Sequence, residues 1–275
     1  MKFTILGGSG FIGGNLARHL QAHGHDVSMP ARDARFERHV PAGHVIYAIG
    51  LTGDFRQRLH ETIEANVSFL SYVLQTLSFD SFLYLSSTRV YGGLPAEALA
   101  SEASPLSLIP TSDTVYDLSK LLGEALCLAQ PQATVRVARL SNIVGSGQSE
   151  HTFLGALLSE GRRDGHVVVR EAPLSSKDYI ALDDVIPLLA QIAIKGRERL
   201  YNVASGTPLN HAAIAEAIRK AIGIKVEFIA NAPFRSFPRI DIDRIQSEFA
   251  FEPRPILGYI ASLSNQRNND VRRPS

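Results

Sequence analysis

The chain has one cysteine, Cys127, and no tryptophan among its 275 residues. A single thiol excludes an intrachain disulfide framework and fits a reducing, cytoplasmic setting, with Cys127 serving as a small apolar packing residue. Charge of one sign is equally lacking, because 28 Lys and Arg stand against 27 Asp and Glu. No net field draws in nucleic acid or an acidic membrane surface, so the expected partner is a small molecule. Long apolar runs are missing too, and nothing approaches the roughly 18 uninterrupted residues of a membrane span. The apolar opening, Met1 to Leu6, meets Gly7 and Gly8 where a signal sequence needs a longer apolar core. His19 and His23 stand one helical turn apart, but no zinc-hydrolase carboxylate lies between them, and no metal is assigned.

What is present is 45% hydrophobic residues, enough to bury a full core. Lys2 to Leu6 is a strand, Phe11 to His23 carries apolar residues at helical spacing, and His25 to Met29 resumes as a strand after Gly24. The alternation continues with strands at 45–49, 81–85, 135–140 and 199–203 and helices at 59–77, 115–129 and 183–194. This pattern predicts an α/β fold, a doubly wound parallel sheet of Rossmann type. Between Met29 and Val45 there is too little chain for another helix and strand, so one βα unit is missing there. A short helix at 153–160, a helix at 212–222 and a strand at 225–229 belong to a smaller, interleaved C-terminal lobe. The expected division is residues 1–142 and 178–205 for the dinucleotide-binding domain, 143–177 and 206–264 for the substrate lobe, and 265–275 as a disordered polar tail.

Three segments carry chemistry. Gly7-Gly8-Ser9-Gly10-Phe11-Ile12-Gly13 sets glycines between strand and helix, which allows a tight turn, close approach of backbone to a pyrophosphate, and close helix–strand packing. The helix N-terminus adds free N–H donors and partial positive charge. After the second strand, Ala31 stands where an acid for the ribose hydroxyls is expected. Arg32 can instead pair with a 2′-phosphate, favouring NADP over NAD; the other reading leaves Arg32 solvated and gives the ribose to Asp33.

Tyr116 and Lys120 lie four apart on a predicted helix and so share a face. Elsewhere such a pair is an ordinary solvated face. Here it has a use, since bringing a phenol from about 10 to neutral pH takes roughly 4 kcal/mol of differential stabilisation, which an adjacent ammonium and an oxidised nicotinamide supply. Ser87 follows the strand ending at Leu85, at the carboxyl end where α/β sheets keep their ligands.

In this order and spacing, the glycine turn, the Ser87 segment and Tyr116 to Lys120 resemble the extended short-chain dehydrogenase/reductases. Asn66, the segments Arg139 to Gly145, Lys177 to Val185 and Tyr201 to Gly206 sharpen the likeness to the NAD-dependent epimerase/dehydratase family of nucleotide-sugar enzymes, over about residues 1–255. The resemblance implies that Tyr116 is the general acid/base, that Lys120 binds the nicotinamide ribose and lowers the tyrosine pKa, and that Ser87 positions the reacting oxygen. It implies a cofactor held by Gly7, Gly10, Phe11, Ile12, Gly13, Arg32, Ala48, Tyr116 and Lys120. The resemblance further implies that Ser87, Asn142, Lys177, Arg235 and Arg239 face the substrate, with Lys177 standing where arginine is usual. A homodimer built on the helices 59–77 and 115–129 is also implied. Sugar dehydratases of this kind carry Asp-Glu where Thr88-Arg89 stands, which argues against dehydration. Epimerisation and NADPH-dependent reduction of a keto-sugar both remain open, and a cofactor sensor without turnover is the third reading.

Overall fold

Short apolar strands alternating with helix-period segments assemble, in the computed structural model, into two lobes described over residues 1–51 and 53–271, the side chains of 264–271 excepted. β1 (Lys2–Leu6), α1 (Phe11–Ala22), β2 (Asp26–Ser28) and β3 (His44–Tyr47) come first. α2 (Leu59–Ile63) and α3 (Phe69–Thr76) lead to β4 (Ser81–Ser87), and α4 (Val115–Leu128) leads to β5 (Val135–Leu140). β6 (Asn142–Val144), α5 (Phe153–Asp164), β7 (His166–Val169) and β8 (Ser176–Ala181) then enter the second lobe. α6 (Leu182–Lys195) and β9 (Leu200–Val203) return to the first. β10 (Pro208–Asn210), α7 (His211–Ile222), β11 (Lys225–Phe228), α8 (Asp243–Phe249) and α9 (Ile256–Val271) complete the chain.

The main sheet runs β9-β5-β4-β3-β1-β2, every pair parallel. Its inner strands bury side chains on both faces, as parallel strands under helices must, while β2 at the edge stays largely exposed. Phe3, Ile5, Ile46 and Leu83 pack with Leu16 of α1 and Leu189 of α6. The alternate residues Leu6, Val45, Tyr47 and Phe82 meet Leu70 of α3 and Cys127 of α4 on the other side. β2 and β3 flank β1, so the strand order reverses there, and the carboxyl ends at such a reversal are where open α/β sheets take their ligands. Residues 29–43 hold no helix, and their short strand Val40–Pro41 pairs with Leu77–Ser78 outside the main sheet. The expected missing βα unit is therefore absent from the fold, and β2 is the sheet's edge.

The second lobe joins β10-β8-β6 in one sheet and β7 with β11 in another. Leu154, Val167, Tyr179, Ile214 and Ile260 form its separate core. α5 extends four residues past the expected short helix. Where a disordered tail was expected from 265, the backbone continues as α9 through Val271, and residues 272–275 lie outside the described residues. Among the described residues, no helix is long and apolar enough to cross a membrane.

One expectation is corrected. The helix foreseen over 59–77 is broken by a π turn at Glu64–Ser68. The turn frees backbone carbonyls that the sheet satisfies: Tyr47 donates its hydroxyl to the Ala65 carbonyl and Tyr84 to that of Asn66. Asn66 is thereby turned inward and donates to the Ser119 hydroxyl at 2.9 Å. Hydrophobic periodicity does not register one extra residue in a helix whose ends are otherwise in phase.

Candidate active site

The glycine turn forms as its residue types require. Gly7 sits at φ +88°, in the left-handed region open to glycine, and a Cβ there would lie 2.8 Å from the Ala48 carbonyl carbon. Gly7 and Ala48, the first residues past β1 and β3, therefore touch backbone to backbone. The Gly10 amide donates to the Gly7 carbonyl at 2.9 Å and closes the turn. A Cβ on Gly13 would collide with that same carbonyl, so only glycine lets α1 seat this close. Gly10 caps α1 with no side-chain acceptor, which leaves the first-turn amides of Phe11 and Ile12 to an outside anion. The turn thus fits a pyrophosphate. Met29, at the end of β2, lies against Gly8, and Arg32 and Asp33 follow on an exposed segment.

β4 and α4 bring the reactive side chains to the carboxyl end of the sheet. Tyr116 is 4% exposed. Burial pushes its phenol up to about 12, opposed by the nearby Arg89 charge and by a hydrogen bond with Ser87. Lys120, also buried, is pushed by desolvation down to about 7, with Glu124 acting to keep its charge. Its Nζ donates to the Leu85 carbonyl at 2.8 Å and lies 5.9 Å from the centre of the Tyr116 ring. A Cβ on Gly50 would come within 3.3 Å of that Nζ and 3.5 Å of Asn66 Oδ1. Asn66 Oδ1 is buried without a hydrogen-bond partner among the described residues. An acceptor and a cation thus border the same space beyond β3, where the hydroxyls of a bound nicotinamide ribose would find both.

The chemistry available here is proton exchange at the Tyr116 phenol. In the unliganded chain the phenol resists ionisation, and further positive charge beside it would be needed for it to act as a base near neutral pH. Behind Lys120 lies a buried network that the motif analysis missed. Arg139 donates from Nε and Nη2 to both Glu124 oxygens, the latter at 2.6 Å, while Ser86 donates to Glu124 and Arg139 also donates to the Tyr91 hydroxyl. Two signals were there to be read: Glu124 falls four residues after Lys120, and Arg139, with Arg136, interrupts an otherwise apolar strand.

On the substrate side the predicted residues are only partly assembled. Asn142 donates to the Asp178 carbonyl at 2.8 Å. Lys177 Nζ pairs with Glu171 at 3.3 Å, and burial lowers its pKa, with Arg235 and Arg89 adding to that effect. Arg235 is held next to β8 by hydrogen bonds of its backbone to Ser175 and Ser176. Arg239 lies further on, in a two-residue strand paired with Leu99 and Ala100. Asp178, unforeseen as a contact, accepts from the Ser205 amide at 3.0 Å and its hydroxyl at 2.9 Å and ties β8 to the loop after β9.

The model of the NAD-dependent epimerase/dehydratase family matches residues 3–204, nearly three-quarters of the chain. This chain belongs to that family. It is similar to a dTDP-6-deoxy-L-talose 4-dehydrogenase (NAD(P)(+)) of Kitasatospora kifunensis, 24% identical over 93% of this chain and 92% of that one. Among solved structures, MoeE5 in complex with UDP-glucose and NAD superposes with a TM-score of 0.80 at 19% identity, covering 98% of this chain and 100% of the other. RMD from Pseudomonas aeruginosa complexed with NADPH gives 0.77 at 22% identity, over 97% and 100%. These likenesses show the fold, and the family match supplies the enzyme class.

Proposed function

We propose that this protein is an NAD(P)-dependent oxidoreductase or epimerase acting on a hydroxyl or ketone of a nucleotide-sugar. The observation that carries the reading is the meeting of Ser87, Tyr116 and Lys120 at the carboxyl end of β4, the same end of the sheet at which the glycine turn lies. When bound, the dinucleotide supplies a hydride acceptor or donor. Tyr116 takes or gives the hydroxyl proton, Ser87 orients the reacting oxygen, and Lys120 holds the ribose and adds positive charge beside the phenol. Asn142, Lys177, Arg235 and Arg239 would face the diphosphate. The printed names of the similar proteins, which include dTDP- and UDP-sugar enzymes, support the substrate class. Incubation with NAD(P) and a panel of UDP- and dTDP-sugars, with mass spectrometry of the products, tests it; no conversion of any member would count against the substrate class.

Arg89 bears on the reaction type. It occupies the place where a dehydratase of this kind would carry a carboxylate base, and it is already engaged with Asp117, so oxidation, reduction or epimerisation without water loss is the favoured course. NADP preference rests on Arg32, exposed three residues beyond the Met29 that touches the glycine turn. Arg32→Ala is expected to reduce the NADP-over-NAD ratio of kcat/KM by roughly tenfold or more, the worth of a charge-assisted hydrogen bond. A preference for NAD in the unaltered protein would overturn this assignment. The homodimer is part of the same reading, since Ile63 on α2 and Leu122 on α4 are exposed apolar residues on the helices expected to pair. Sedimentation should give a dimer that Leu122→Glu weakens, and a monomer in the unaltered protein would remove it. A cytoplasmic setting completes the reading and rests on the single buried Cys127.

A further inference from the structure

We infer that Arg89 is a positioning residue for Tyr116: gripped at two points by buried Asp117, its guanidinium is held as a fixed cation against the tyrosine ring. The inference rests on the proposed acid/base role of Tyr116. Arg89 Nε donates to Asp117 Oδ1 at 2.7 Å and Nη2 to Oδ2 at 3.1 Å, a fork-to-fork geometry that fixes the plane of the group. The centre of the guanidinium lies 5.6 Å from the Tyr116 ring centre and 5.4 Å from that of Phe55. The Phe55 and Tyr116 rings are themselves 5.1 Å apart. Two rings and a carboxylate thus hold the cation in place beside the buried phenol, although the arginine side chain itself is 36% exposed.

Asp117 adjoins Tyr116 in the chain and is 5% exposed. Unpaired, it would be a buried anion opposing formation of the phenolate. Arg89 neutralises it, and of the two charges the arginine has the larger influence on the phenol. The other groups facing Tyr116 are Tyr84 and Ser87 from β4, Lys120 from its own helix, and Phe55 with Arg56 stacked on it. Among these, Arg89 and Lys120 are the cations whose charged groups lie within about 6 Å of the ring, the range over which an opposite charge favours the ionised form.

The test needs no sugar. Protein carrying 13Cζ-tyrosine is saturated with NAD+, and the Tyr116 signal is assigned by its loss in Tyr116→Phe. Its titration is then followed in the unaltered protein, in Arg89→Met and in the neutral pair Arg89→Gln/Asp117→Asn. Arg89→Met is expected to raise the Tyr116 midpoint by about one pH unit, about tenfold less phenolate at any pH below it. The neutral pair keeps the hydrogen bonds without the charges; it guards against a single variant that fails to fold, and a smaller rise is expected. An unchanged midpoint in both variants would overturn the inference. With a nucleotide-sugar that turns over, Arg89→Met should move the acidic limb of the kcat profile to higher pH and leave KM in place. A raised KM with an unmoved limb would make Arg89 a substrate ligand and likewise overturn it. If the midpoint moves while Tyr116→Phe retains normal turnover, the acid/base reading of Tyr116 fails and the Arg89–Tyr116 coupling stands.

Discussion

Tyr116→Phe is expected to lower kcat on a nucleotide-sugar by roughly 10²- to 10⁴-fold, the usual worth of a positioned acid/base, with the Kd for NAD(P) nearly unchanged. The substitution removes the hydroxyl alone. The ring stays packed on Phe55, 5.1 Å centre to centre, and Lys120 keeps its bond to the Leu85 carbonyl, so the crevice around the cofactor is preserved. Loss of rate with binding intact marks an interaction made only as the proton moves. Single-turnover kinetics with the most active UDP- or dTDP-sugar, alongside calorimetric titration of the cofactor, separate the two quantities. Near-normal turnover in the variant would take the acid/base role away from Tyr116. Ionisation sets the direction of the pH dependence: burial holds the phenol near 12, so the phenolate fraction grows as pH rises and oxidation of a hydroxyl should quicken. Reduction, which needs the protonated phenol, should be favoured at lower pH.

The parts of this molecule that were legible in its sequence are those where a local pattern has one physical outcome. A glycine at Gly7 followed by Gly10 and Gly13 between a strand and a helix leaves few alternatives to the turn observed, because Gly7 and Gly13 are closed to a Cβ by backbone and Gly10 is tight. Strand alternation around Val45 and Phe82 likewise predicts the sheet, and the short stretch from Met29 to Val45 predicts its missing unit. Less legible were features set by partners distant in the chain. The π turn at Asn66 depends on hydroxyls from Tyr47 and Tyr84, about 18 residues away on either side. Lys177 was expected to face the substrate, yet Glu171 reaches it from the preceding loop, a contact that no periodicity encodes. Arg89 was noted for the acid it replaces; its grip on Asp117 and its stacking on Tyr116 emerge only when β4 and α4 are brought side by side.

Glu124→Gln is expected to destabilise the fold by roughly 3–5 kcal/mol, the cost of breaking a buried ion pair by removing one partner. Glu124 and Arg139 are 1% and 4% exposed, and the amide would still accept from Ser86 while leaving the Arg139 guanidinium without a counter-charge. A domain of this kind has about 5–15 kcal/mol in hand, so the loss should appear as a large fall in the urea midpoint with little change in slope. A cost under about 1 kcal/mol would show that water or Tyr91 compensates the arginine. The partner substitution Arg139→Met strands Glu124 instead, and because both single changes break the same pair, the double variant should cost well under the sum of the two. The consequence reaches the active site. Glu124 is the main influence keeping Lys120 charged against a burial that already brings it to about 7, so removing the carboxylate moves that lysine lower still. Near neutral pH a smaller fraction would then be ammonium, and the phenol of Tyr116 would lose cationic support from that side. Glu124→Gln protein that remains folded should therefore lose the turnover that depends on the lysine's charge at a lower pH than the unaltered enzyme, whose lysine gives up its proton only near 7.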